Sequence, residues 1–299
     1  MPKGLIMKAL SGYYYVLPKG EKTGNSPVQC RARGVFKKKG ITPLVGDQVQ
    51  FEHTENGEGT VTDILPRRSR LVRPPVANVE YAVLVFSVAE PDLNLQLLDK
   101  FLVHIENSGL TPLICLTKMD LLNAGEAGAV KAAVRLYESI GYSVHVTSSK
   151  KKEGLETIEE ALAGSISVFA GQSGVGKSSL LNAMIQGLNL ETSEISHRLG
   201  RGRHTTRHVE LLPLERSGLI ADTPGFSQLD FVELEVKNLG ECFKEFRESS
   251  GNCKFRGCLH IHEPGCAVLE AVQQGEIAKS RYEHYVQFLQ EMKDKKRRY

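Results

Sequence analysis

The stretch Gly171-Gln172-Ser173-Gly174-Val175-Gly176-Lys177-Ser178 decides how this chain is read. Two glycines flank four residues and Lys-Ser follows, the pattern of a phosphate-binding loop. The apolar run 166–170 before it predicts a buried strand, and residues 179–185 after it have helical spacing. Strand, glycine loop and helix are the context the motif requires. Backbone N–H groups of the loop, from Gly171 through Val175 to Ser179, together with the helix N-terminus then form a nest for phosphate. Lys177 is expected on the β- and γ-phosphates, and the Ser178 hydroxyl on Mg²⁺.

Upstream, the continuous β-branched and aromatic run 81–88 suits a strand buried on both faces. Residues 97–107 and 130–140 predict helices, and 112–116 and 142–146 predict strands. Strands alternating with helices argue for a doubly wound α/β sheet, whose ligands sit at the carboxyl ends of the strands. At one such end stands Thr117-Lys118-Met119-Asp120, which resembles the guanine-recognition element of GTPases. A carboxylate at Asp120 accepts both N1–H and the exocyclic amine of guanine, whereas adenine offers an acceptor at N1 and no amine at C2. The Lys118 stem would lie along the base. Thr117 stands where such elements usually carry Asn; it keeps an oxygen and lacks the amide donor. Thr147-Ser148-Ser149-Lys150 follows the next strand and resembles the loop that supports the base from its other side, with Ser148 at the base.

Downstream of the glycine loop, residues 199–207 are glycine-rich, basic and poor in apolar side chains, which predicts a mobile segment. In a GTPase a Thr of this segment reaches Mg²⁺ and the γ-phosphate when triphosphate is bound. Thr205 and Thr206 both qualify and spacing does not choose between them; the expected magnesium set is Ser178 with Thr206 or its neighbour. A basic loop contacting RNA is the other reading of this segment. Then Gly218-Leu219-Ile220-Ala221-Asp222-Thr223-Pro224-Gly225 delivers Asp222 to the Mg²⁺ shell and the Gly225 N–H to the γ-phosphate.

The order of these elements is unusual. The guanine element precedes the phosphate loop, whereas GTPases ordinarily run the other way. The sheet reads as cut and rejoined elsewhere, which is tolerated where old chain ends lie close at the surface. One consequence is that whatever follows residue 225 hangs from the second switch.

Residues 1 to 75 show short alternating runs at 13–17, 28–32, 48–51 and 59–64, punctuated by Pro, Gly and Asn. This predicts a small β-barrel, OB-like or SH3-like. Arg31, Arg33, Lys37, Lys38 and Lys39 with the run Tyr13-Tyr14-Tyr15 favour a nucleic-acid-binding OB barrel. Residues 66–75 read as an exposed linker, since their prolines break regular structure and their arginines favour solvent. The expected division is a barrel and linker over 1–75, a permuted nucleotide domain over 76–230 and a smaller, mostly helical domain over 231–299.

That last segment carries Cys253-x₄-Cys258-x-His260-x₅-Cys266. Three thiolates and one imidazole suit tetrahedral zinc in a closed, structural site, with His262 as a competing ligand. Helices are expected over 232–248, 267–274 and 277–292, the last ending in the cationic run 293–298.

Over the whole chain, 299 residues suggest two or three domains at roughly 150 each. Net charge is only +3, but basic residues cluster at 31–39, 67–73, 198–207 and 293–298, which suits an RNA backbone. No apolar run approaches the roughly 18–20 residues that span a bilayer. The N-terminus does not read as a signal peptide, so a cytoplasmic protein without a membrane partner is expected.

The permuted order, the Pro43-Leu44-Val45-Gly46-Asp47 stretch, the Gly202-Arg203-His204-Thr205-Thr206 stretch and the cysteine cluster together resemble the ribosome small subunit-dependent GTPase A family, over essentially the whole chain. The resemblance implies a GTPase that binds the small ribosomal subunit and its rRNA late in assembly, hydrolyses GTP much faster there and leaves once hydrolysis is done, with other assembly factors among its expected partners. It also puts the zinc ligand at His260 rather than His262. Phe226 stands where many GTPases carry a water-orienting Gln, so another group must place the water. His204 is the candidate, because an imidazole can accept a proton near neutral pH. An RNA contact is the alternative role for His204, and a non-catalytic, GTP-gated RNA clamp is the alternative for the protein.

Overall fold

The computed structural model describes residues 1–21, 25–72, 75–123, 125–185, 187, 188, 190, 209–222 and 234–297. Arg198, Arg201, Arg203, His204, Thr205, Thr206, Arg207, Gly225 and Phe226 lie outside them, as do Arg73 and Arg298.

The chain opens with β1 (Lys3–Leu10), β2 (Tyr13–Pro18) and β3 (Val28–Ala32), then the short helix α1 (Gly34–Lys38), β4 (Gln48–His53) and β5 (Gly59–Ile64). β1 pairs with both β2 and β4, β2 with β3, β3 with β5 in parallel, and β5 with β4. The five strands thus close on themselves, the arrangement of an OB barrel. Ile6, Val16, Cys30, Val49, Phe51 and Val61 fill its interior with no exposure. Gly46 permits the tight approach beneath the barrel. Its φ is +88°, and a Cβ there would stand 2.1 Å from the Ala77 carbonyl oxygen.

The segment after the barrel is not the simple exposed linker expected. β6 (Arg70–Leu71) pairs with β7 (Val76–Ala77). Arg67 donates from Nε and Nη2 to the fully buried Asp47 carboxylate, both at 2.7 Å, and from Nη2 to the Thr42 carbonyl at 2.8 Å. A bidentate partner holds a guanidinium that solvent would otherwise claim.

The nucleotide-binding unit contains β8 (Val79–Ser87), α2 (Leu95–Asn107), β9 (Thr111–Thr117), α3 (Ala127–Ser139), β10 (Ser143–Val146), α4 (Leu155–Ala161), β11 (Ile166–Ala170), α5 (Lys177–Met184), β12 (Glu210–Pro213) and β13 (Leu219–Asp222). Its strands lie in the order β10-β9-β8-β11-β13-β12, parallel except for β12. β12 also meets β1, where Lys8 pairs with Glu210 at 2.8 Å, so the barrel joins this sheet edge directly.

Three helices complete the chain: α6 (Lys244–Ser250), α7 (Ala267–Gln274) and α8 (Lys279–Arg297). The single helix expected over 232–248 is instead two 3₁₀ turns, Val236–Asn238 and Gly240–Cys242, followed by α6. Nor does this unit simply hang from the segment after Asp222. Val103 of α2 sits in its core beside Phe243, Phe246 and Phe288, and Arg281 of α8 pairs with Asp99 of α2.

Candidate nucleotide site and metal centre

The glycine loop joins β11 to α5 at the carboxyl edge of the sheet, the place where open α/β sheets bind ligands. Gly171, Gly174 and Gly176 take φ of 150°, 81° and 92°, which side chains rarely adopt. At Gly171 a Cβ would also stand 2.2 Å from the Val85 carbonyl oxygen of β8. Gln172, Ser173 and Gly174 are exposed, Val175 is buried, and Ser178 and Ser179 are half-buried in the first turn of α5. Lys177 folds back over the loop and donates from Nζ to the Gly171 carbonyl at 2.7 Å and to that of Gln172. Burial pushes its ammonium down to about 8. An anionic ligand in the loop would reverse that shift.

The guanine element meets this loop directly. Thr117, only 2% exposed at the end of β9, donates its hydroxyl to the Val175 carbonyl at 2.5 Å. So Thr117 ties the element to the phosphate loop. Lys118 has a left-handed backbone with φ 61°, and its Nζ donates to the Glu90 carbonyl. Met119 takes a backbone hydrogen bond to Thr147 at 3.2 Å. The Asp120 carboxylate accepts from the buried Ser148 hydroxyl at 2.6 Å, and that bond lowers its pKa. Ser148 in turn accepts from the Lys151 N–H at 3.1 Å. The serine therefore orients the carboxylate, a role in addition to the base support expected of its loop.

One wall had no signal in the sequence. The loop after β8 brings Pro91 within 4.0 Å of a Cβ placed on Gly174, and Ser87 donates to the Pro91 carbonyl at 2.6 Å. Only its position at a strand end beside the glycine loop could have pointed to it. For Mg²⁺, the Ser178 hydroxyl on α5 is an oxygen donor of the kind a hard cation takes, and Asp222 ends the neighbouring β13.

In the C-terminal unit, Cys253, Cys258, His260 and Cys266 present donor atoms within 4.8 Å of one another. Cys253 Sγ lies 3.9 Å from Cys266 Sγ and 3.7 Å from His260 Nδ1, and the last is 3.3 Å from Cys266 Sγ. A tetrahedron with metal–sulfur bonds of about 2.3 Å has edges of about 3.6–3.8 Å, so this set fits a tetrahedral metal ion. Burial pushes the Cys258 thiol up to about 12, a cost that a bound cation offsets. His262 is exposed and lies outside the cluster. Glu263, which the sequence did not flag, braces the turn. Its carboxylate accepts from the N–H groups of Leu259, Ile261 and His262 at 2.9, 2.8 and 3.0 Å.

Fold and site together define a P-loop GTPase with permuted motifs. The crystal structure of YloQ, described as a circularly permuted GTPase, superposes with a TM-score of 0.85 at 47% identity, covering 99% of this chain and 96% of that one. YjeQ from Thermotoga maritima gives 0.85 at 35% identity, over 97% and 98%. The model of the RsgA GTPase family matches residues 64–232 and that of the RsgA N-terminal domain residues 3–61. The small ribosomal subunit biogenesis GTPases RsgA of Bacillus pumilus (strain SAFR-032) and Bacillus subtilis (strain 168) are 53% and 51% identical, each aligned over 100% of both chains. The chain belongs to the RsgA GTPase family and is a GTP-hydrolysing enzyme.

Proposed function

We propose that this protein hydrolyses GTP on the small ribosomal subunit and its rRNA late in maturation, that the subunit stimulates hydrolysis, that release is coupled to it, and that other assembly factors are further partners. The observation that carries the reading is the Thr117–Val175 hydrogen bond, which joins the guanine element and phosphate loop into one site. The names of the full-length relatives support the ribosomal partner.

In this reading Asp120, held by Ser148, selects guanine, and Lys118 and Met119 flank the base. Gly171 to Ser179 cradle the phosphates, with Lys177 turning from the loop carbonyls to the β- and γ-oxygens. Magnesium bound with the triphosphate neutralises charge between those phosphates. Ser178, Asp222 and Thr205 or Thr206 would hold it, Gly225 would sense the γ-phosphate, and His204 would hold the attacking water. Cys253, Cys258, His260 and Cys266 would hold one structural zinc ion. The division into 1–75, 76–230 and 231–299 gives a barrel and a zinc unit that dock on rRNA while the centre times release. A cytoplasmic location fits this role, and no helix among the described residues is long and apolar enough to cross a membrane.

Phe226 in the usual place of Gln favours a second reading, a GTP-gated RNA clamp whose hydrolysis the subunit does not accelerate. Multiple-turnover phosphate release, with and without purified small subunits, separates the two. Strong stimulation of the parent, lost in His204→Ala with binding intact, is the expected result. Equal stimulation of both proteins would remove His204 from the mechanism. A parent whose rate does not rise with the subunit would favour the clamp.

A further inference from the structure

Between two members of the metal cluster the chain makes an excursion that the nucleotide site does not use. Lys254, Phe255, Arg256 and Gly257 leave the cluster at Cys253 and return to it at Cys258, and all four are exposed. Phe255 is 46% exposed, and it is the one aromatic residue among the large exposed hydrophobics of the described residues. One exposed apolar side chain is ordinary at a protein surface, so what marks Phe255 is the charge beside it. Lys254 Nζ stands 5.7 Å from the ring centroid, and Arg256 follows directly. The stretch 251–262 contains no acidic residue. The next carboxylate, Glu263, is occupied by three backbone N–H groups.

The tip is also held in shape. Both ends belong to the four-residue cluster, the Lys254 N–H donates to the Gly265 carbonyl at 3.0 Å, and Gly257 turns the chain with φ of 72°. An exposed ring with one cation over it and a second next to it in the chain, on a loop tied at both ends, suits an unpaired base and its flanking phosphates. Stiffness matters because little side-chain and loop freedom is then lost on binding.

We infer that the Lys254-Phe255-Arg256 tip is a contact for single-stranded RNA, with one base stacked on Phe255 and phosphates beside Lys254 and Arg256. The inference rests on the RNA partner of the proposed function and assigns it a particular surface.

The test uses the full chain with its metal content measured, two RNA probes, a fluorescently labelled unstructured RNA oligonucleotide and purified small subunits, and anionic lipid vesicles as a control. Phe255→Ala is expected to weaken oligonucleotide binding by about tenfold, the loss of one stacked base, while Phe255→Trp binds as the parent does. K254A combined with R256A is expected to reduce the slope of log affinity against log salt by about 1.4, which is about 0.7 for each phosphate contact on a single strand. Metal content and GTP hydrolysis without RNA should be unchanged, since none of the three replaced side chains belongs to the metal cluster or lies at the glycine loop. A Phe255→Ala protein that binds both probes like the parent overturns the inference. So does a parent that fails to bind either probe. So does a tip variant that loses only binding to anionic lipid vesicles, which would assign the surface to a membrane. A parent that binds the oligonucleotide through Phe255 but ignores the subunit keeps the tip and removes the ribosomal reading.

Discussion

Thr117 shows how one hydroxyl can join two parts of a site. The side chain is 2% exposed and its donor is committed to a backbone carbonyl of the phosphate loop. Replacing it with Val keeps the shape and strands the Val175 carbonyl, at a cost of about 1–2 kcal/mol. Thr117→Val is therefore expected to weaken GDP and GTP binding by roughly 5- to 30-fold, and Thr117→Ser to restore it. Titration with a fluorescent guanine nucleotide decides this, and a serine variant as weak as the valine one would sink it. Lys177 makes a prediction in pH. Its ammonium is held near 8 in the nucleotide-free protein, so above that pH the neutral amine prevails while nucleotide needs the cation. Binding must then take up a proton, and affinity is expected to fall by up to about tenfold per unit as pH rises past 8. Titrations from pH 7 to 9.5 check it. The slope belonging to this lysine should vanish in Lys177→Ala, and a parental slope no steeper than the variant's would refute the assignment.

At the scale of the element, the metal turn depends on an acceptor outside the ligand set. Burial opposes ionisation of Glu263, but the N–H groups of Ile261, Leu259 and His262 outweigh it and hold the carboxyl at about 2. A pKa depressed on folding contributes stability that is full above the ordinary value near 4.5 and is lost as pH falls toward 2. At neutral pH that contribution is present, so Glu263→Ala should cost about 2 kcal/mol and speed metal release to a chromogenic chelator. Release at the parental rate would mean that the turn stands without its brace. Nothing in the spacing of Cys258, His260 and Cys266 announces Glu263, because its partners are main-chain groups that every sequence possesses. The same holds for Thr117, whose acceptor lies 58 residues away. By contrast the glycine loop, Asp120 and the cysteine set were legible because their chemistry is packed into short contiguous windows. Among the elements, β1 escaped notice for a local reason. Its register shifts between Ile6 and Lys8, so the inward and outward alternation that marks a strand is broken in its middle. The expected helix over 232–248 failed for the opposite reason. Leu239, Cys242, Phe243 and Phe246 are all buried at nearly helical spacing, yet Leu239 sits between two 3₁₀ turns, Cys242 ends the second and only Phe246 lies in α6.

At the scale of the molecule, the C-terminal unit is fastened to the nucleotide-binding unit by a charge network with almost no access to water. Arg281 and Asp99 are 1% and 0% exposed. Arg281 Nη1 donates to Asp99 at 2.5 Å, and its Nε and Nη2 donate to Glu245 at 2.7 and 3.0 Å. Tyr137 of α3 donates to the same Asp99 oxygen at 2.6 Å, and His284 meets the other at 2.5 Å. Arg281→Met would leave two carboxylates buried without their cation, which costs about 3–5 kcal/mol. Arg216 is 45% exposed and pairs with three carboxylates, Glu156, Glu159 and Glu160, against two for Arg281, but pairs made by so exposed a cation are worth about 1 kcal/mol at most. In thermal unfolding, Arg281→Met is therefore expected to lower the midpoint by about 10 °C and Arg216→Met by about 3 °C or less. Adding Asp99→Asn and Glu245→Gln to Arg281→Met should recover part of the loss, since the stranded charges are then gone. Equal effects at the two arginines would mean that the network stabilises no more than a surface cluster does. The consequence for the enzyme lies in α2. That helix carries Asp99 and Val103 into the C-terminal face, and it begins where the loop after β8 leaves Pro91 beside the glycine loop. If the C-terminal unit docks on RNA as proposed, force on it would reach a helix rooted at the nucleotide site. If that coupling is used, Arg281→Met at a temperature where it remains folded should keep its hydrolysis rate without subunits and lose much of the stimulation by them.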